Sequence, residues 1–101
     1  MSIGAKLSEN NELLVISIQG AFDFSMLNDF RVAYSTDVGE QTKIVIDMRD
    51  TTSINSSALG MLLNMQRHLK RDDGGIDIIN SNDAVRKVFD ITHFDKKFNI
   101  K

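Results

Sequence analysis

Lys43-Ile44-Val45-Ile46-Asp47-Met48, followed shortly by Ile54-Asn55-Ser56-Ser57-Ala58-Leu59-Gly60, decides how the rest of the chain is read. The first segment holds a short continuous apolar run rich in β-branched residues. That is the pattern of a central strand, expected to be covered on both faces. The second segment opens a helical pattern that runs to Lys70. Two hydroxyls, Ser56 and Ser57, therefore stand where a helix begins. Free backbone N–H groups and the positive end of the helix dipole meet at such a point. It can hold a phosphate, accept one covalently, or use a serine simply as a cap.

Upstream, Ile3, Ala5 and Leu7 alternate with polar residues or glycine, and Ser8-Glu9-Asn10-Asn11 reads as a turn. Residues 13–18 form a second strand that Gly20 is expected to end, so the two make an edge hairpin. Ser25 is the expected cap of a helix from Met26 to about Thr36, with Met26, Phe30 and Ala33 as its apolar stripe beside Leu27 and Tyr34. Downstream, Gly74-Gly75 closes the second helix and residues 76–79 form another buried strand. Ser81 is the expected cap of a third helix carrying Ala84, Val85, Val88 and Phe89 along one side, and Phe98 and Ile100 suggest a last short strand. The order is β-β-α-β-α-β-α-β. It predicts an α/β fold with a mixed, mostly parallel sheet of about five strands and helices packed against it. One domain over residues 1–101 is expected.

Composition narrows the function. With 42% apolar and 26% charged residues the chain is an ordinary globular sequence. A net charge of −2 leaves no basic excess for a nucleic-acid footprint. Cysteine is absent, which excludes disulfides, thiolate catalysis and Cys-type zinc sites. No apolar run approaches membrane-spanning length, and the first residues lack a secretory pattern, so a cytoplasmic protein without a membrane partner is expected.

At about 100° per residue, Ala58, Leu62, Met65 and Leu69 cluster on one side of the second helix and should face the sheet. Ser56, Gly60, Leu63 and Arg67 fall opposite, with Leu59 at the margin. An outward face normally carries charge, yet this one offers a hydroxyl, a glycine and leucines. Gly60 costs roughly 1 kcal/mol of helix propensity relative to alanine. Two readings stand: a partner surface that needs close approach, or packing under a neighbouring helix in which Gly60 relieves crowding.

Other chemistries find less support. No Gly-x-Ser-x-Gly elbow occurs, and His68 lies roughly 18 Å from Ser56 along the helix, so serine hydrolysis is not expected. Asp23, Asp47 and Asp50 fall near strand ends, where three carboxylates could hold Mg²⁺ or simply cap turns. His68 and His93 show no ligand spacing, so neither metal nor cofactor is expected. A receiver-type phosphoacceptor using Asp47 or Asp50 with Mg²⁺ is an alternative, but its acidic pair and lysine cannot be assembled here.

The stretch from Ile46-Asp47-Met48 through Ile54-Asn55-Ser56-Ser57-Ala58-Leu59-Gly60 resembles the STAS domain of bacterial anti-sigma factor antagonists. That family carries Asp-Ser-Ser/Thr-Gly-Leu-Gly at a helix start. Gly20-Ala21-Phe22-Asp23 is similar to its Gly-x-hydrophobic-Asp, and the order of elements agrees over almost the whole chain. The resemblance implies a non-enzymatic switch with Ser56 as phosphoacceptor and Ser57 as second choice. It implies a GHKL-type serine kinase that is often the anti-sigma factor itself, and a PP2C-type phosphatase, or a fusion of these. The unphosphorylated domain, a monomer when free, would bind the regulator through Asp23, Asn55, Ser56, Ser57, Leu59, Gly60, Leu63 and Arg67. Some relatives are constitutive scaffolds without phosphorylation. Asn55 stands where the family has aspartate, and Ala58 where it has its first glycine.

Overall fold

The structure, a computed structural model, describes residues 2–35 and 38–101. Strand β1 (Ser2–Leu7) pairs antiparallel with β2 (Leu13–Phe22), from Ser2 opposite Gln19 to Leu7 opposite Leu14. The Ser8 hydroxyl oxygen closes the turn by accepting the amides of Glu12 and Leu13, both at 3.0 Å. Asn11 supplies the left-handed residue the turn needs, at φ 58°.

Beyond the hairpin the pairing is parallel. Strand β2 pairs with β3 (Lys43–Asp47), β3 with β5 (Ile76–Ile79), and β5 with β6 (Asn99–Ile100). A further strand, β4 (Thr51–Ile54), lies off this path and pairs parallel with the far end of β2. Among the described residues the sheet therefore has six strands, β4 being added to the five expected.

Period-two patterning sets the two faces. Leu14, Ile16 and Ile18 share the buried face with Ile44, Ile46, Ile76 and Ile78. Helices α1 (Leu27–Tyr34), α2 (Ser56–His68) and α3 (Asp83–Ile91) send Phe30 and Ala33, Ala58, Leu62 and Met65, and Val85 and Phe89 into the same core. The expectation that the central strand is covered on both faces is corrected. Val45, level with Val15 and Asp77 on the other face, is only half-buried. On that open face Asp77 gathers Lys43 at 3.6 Å, Lys101 at 3.1 Å and Asn99 at 3.0 Å. Burial pushes the Asp77 carboxyl up. Hydrogen bonds from Lys101 and Asn99 and the charges of Lys101 and Lys43 outweigh it and leave the carboxyl below its usual range.

Other corrections are local. Gly20 does not end β2. It takes φ +95° at an irregularity between Gly20 and Ala21, where β2, having paired with β3 up to Ser17, pairs with β4. Ser25 does not cap α1. A 3-10 turn at Phe24–Met26 precedes that helix, and Asp23 is its cap. The third helix is capped by Asn82, not Ser81. Ala84 is exposed rather than aligned with Val85 and Phe89. The second helix ends at His68, just short of Lys70, which turns left-handed at φ 55°. The expected helix end at Thr36 lies outside the described residues.

Candidate functional site

Parallel pairing of β2 with β4 puts Phe22 opposite Ile54. The next residue on each strand, Asp23 and Asn55, then begins a helical segment at the same edge of the molecule. Both are caps with one design. The Asp23 carboxylate accepts the Ser25 amide at 2.9 Å and also the Ser25 hydroxyl. Asn55 Oδ1 accepts the Ala58 amide at 3.1 Å and the Ser57 hydroxyl at 2.7 Å. The hydrogen bonds from Ser25, first the hydroxyl and then the amide, hold the Asp23 carboxyl below its usual range.

This arrangement separates the adjacent serines. Ser57 is half-buried and engaged by the cap, whereas Ser56 is exposed and its hydroxyl has no hydrogen-bond partner among the described residues. The capping role open to Ser56 in the sequence belongs to Asn55. Ala58, in the position of the family's glycine, is fully buried, so its methyl belongs to the core.

Along α2 the outward stripe is partly open. Leu59 and Leu63 are half-buried and rest on the edge of the core, while Ser56, Gly60 and Arg67 are exposed. A Cβ built at Gly60 meets nothing within 4 Å. Relief of crowding inside the domain is therefore not the reason for glycine there.

Two residues at the site escaped the sequence reading. Phe24, on the turn that follows Asp23 and packs beside α2, is 64% exposed. Its place beside α2 is visible only once the β2–β4 register is known. Asn82, besides capping α3, donates from Nδ2 to the Thr51 carbonyl at 3.0 Å. Thr51 is itself tied by Oγ1 to the Ile18 carbonyl at 2.8 Å. These bonds fix β4 and, through it, Asn55.

The carboxylates do not converge. Asp47 Oδ1 accepts the Arg49 amide at 3.0 Å and the Asn80 amide side chain at 3.1 Å, bonds local to the end of the sheet. Among the described residues no group of three or more His, Cys, Asp or Glu side chains is placed to hold a metal ion. Among the described residues, no helix is long and apolar enough to cross a membrane.

Residues 5–101 match the STAS domain family, and the chain belongs to it. It is 39% identical over 100 residues to a STAS-domain containing protein of Pseudomonas aeruginosa (strain UCBPP-PA14), with 99% of each chain covered. Its fold is that of an anti-sigma factor antagonist from Mycobacterium paratuberculosis, with a TM-score of 0.74 at 22% identity over 98% of this chain and 85% of the other. The anti-sigma factor antagonist SpoIIAA in its unphosphorylated form is also similar, with a TM-score of 0.65 at 21% identity over 89% and 83%.

Proposed function

We propose that the chain is an anti-sigma factor antagonist-like regulatory binding protein, a partner-switching module controlled by reversible phosphorylation of Ser56. In this reading it is not an enzyme. Its unphosphorylated form binds a GHKL-type kinase of the anti-sigma kind, and a PP2C-type phosphatase resets it. The observation that carries the reading is the contrast within one pair: Ser56 is exposed and unengaged, while its neighbour is held by the cap.

A phosphate on Ser56 adds about −1.5 to −2 charge at the first residue of α2. The helix terminus favours it by roughly 0.3–1 kcal/mol, too little to rearrange the fold. The switch therefore acts on docking. A regulator lying on Leu59, Gly60 and Leu63 must desolvate the dianion or be repelled by it, at a cost of several kcal/mol. Asp23 and Asn55 frame the acceptor, and exposed Phe24 gives the partner an aromatic anchor of the kind that dominates interfaces.

The test has two parts. Mass spectrometry of the protein from its native cell should find phosphoserine at Ser56. The purified unphosphorylated, S56A and S56D forms are then compared for binding to the kinase-type regulator. Binding kept in S56A and lost in S56D is expected. Equal affinity of all three would overturn the switch and leave a constitutive scaffold. Phosphorylation by acetyl phosphate and Mg²⁺ without a kinase would favour the receiver alternative.

A further inference from the structure

The C-terminal halves of α1 and α2 lie side by side and leave a groove of about 550 Å³, lined by Arg31, Tyr34, Ser35, Asn64, Arg67 and His68. Tyr34 and His68 form an aromatic wall, with ring centroids 5.6 Å apart. The Ser35 hydroxyl is turned back onto the Arg31 carbonyl. Arg31 and Arg67, one from each helix, are exposed. The ion pairs among the described residues all lie elsewhere, on Asp77, Asp47 and Asp73. The adjoining depression adds Lys70, while the Arg71 guanidinium there is bound to the Glu40 and Gly39 carbonyls. Among the described residues, the groove and the adjoining depression thus gather Arg31, Arg67, Lys70 and Arg71 against the single carboxylate of Glu40, in a chain whose net charge is −2.

The groove continues the outward stripe of α2. Arg67 follows Ser56 by eleven residues, which places it about 20° away around the axis and roughly 16 Å along it. We propose that this groove seats an acidic segment of a protein partner, whose carboxylates pair with the Arg31 and Arg67 guanidiniums. Guanidinium forks match carboxylates in bidentate geometry. The continuity with half-buried Leu59 and Leu63 fits an amphipathic segment. Its apolar side lies on the stripe, and its carboxylates reach the groove. The proposal rests on the phosphoswitch reading only for the identity of that partner. The groove lies about two Debye lengths from Ser56 at physiological salt, so the acceptor's charge leaves it largely unaffected. The two ends of the stripe then divide the work: a standing electrostatic anchor at one, a switch at the other.

The experiment is an amide NMR titration of the full chain. The probe is a blocked alanine- and leucine-rich helical peptide of about 15 residues with glutamates at i, i+4 spacing, and its glutamine counterpart is the control. The glutamate peptide should shift signals of Arg31, Tyr34, Asn64, Arg67 and His68, weaken as salt rises, and leave the glutamine peptide without effect. The variant R31E/R67E should bind it roughly tenfold more weakly or worse. R86E/K87E, the same charge change on exposed positions of α3, should bind it as the wild type does. Scattered shifts, no shifts, or equal weakening by both variants would overturn the proposal. So would pyrophosphate shifting the same signals while the peptide does not, since the groove would then be a small-anion site. S56D should bind the peptide normally. A failed phosphoswitch therefore leaves these shifts in place, and a failed groove leaves the Ser56 comparison intact.

Discussion

Ser57 Oγ donates to Asn55 Oδ1 at 2.7 Å, so the residue that caps α2 also engages one of two neighbouring hydroxyls. Under the proposed switch, the hydroxyl left for a kinase is that of Ser56. The variant S57A should still be phosphorylated, and S56A should not. Intact-mass and peptide mapping after incubation with the kinase reads this directly. S56A should change unfolding stability by less than about 0.5 kcal/mol, because its hydroxyl is exposed and unbonded.

Asn55 is the second point. N55A removes the acceptor of the Ala58 amide and should cost about 1 kcal/mol in urea unfolding. N55D restores the family's aspartate. It keeps the cap geometry and adds a negative charge at the positive end of α2, which should recover the loss. The measurement is the denaturation midpoint at constant slope.

Gly60 separates stability from binding. The space around it is open, so G60A should raise stability by roughly 0.5–1 kcal/mol through helix propensity. G60W should fold equally well and lose the regulator, since a large side chain would hold a partner off Leu59 and Leu63. Calorimetry of unfolding together with a binding isotherm distinguishes the two effects. Unchanged affinity in G60W would place the regulator elsewhere.

Asp77 gives a pH dependence. Its carboxyl is lowered in the folded chain, so the unfolded state binds the proton more tightly. The stabilisation is present above the ordinary value of 3.8 and is lost as pH falls from there through the lower folded value. D77N should therefore destabilise by about 1 kcal/mol near neutral pH, the exposed lysines being screened by solvent. The gap between D77N and the wild type should narrow as pH falls below 3.8 and close once it passes beneath the lowered folded value. Urea midpoints across that range test it.

Much of the scaffold was legible in the sequence. The runs around Ile44–Ile46 and Ile76–Ile79 are strands with buried isoleucines. Ala58, Leu62 and Met65 face the core as helical spacing requires. What the sequence concealed has physical reasons. Strand β4 reads Thr51-Thr52-Ser53-Ile54, with no apolar alternation, because it pairs with β2 alone and buries little besides Thr51. Two caps were misplaced by one or two residues, Asp23 for Ser25 and Asn82 for Ser81, and at α2, where a serine cap was one of three readings, the cap is Asn55. Serine and Asx side chains are near-equal caps by propensity, and only the chain's entry angle chooses between adjacent candidates. Ser56 was legible as a position at the helix start. That it is the unengaged hydroxyl required the structure.

The irregularity at Gly20 has a wider consequence. There β2 passes from pairing with β3 to pairing with β4, so β4 and the Asn55 cap lie off the strand path that runs through β3 and β5. A lesion there opens a short, singly paired ribbon, while one at Ile44 or Ile78 is felt by the whole domain. In the proposed switch, the residues around Ser56 can thus vary, as Asn55 does in standing where the family has aspartate, with little penalty to the chain's ability to fold.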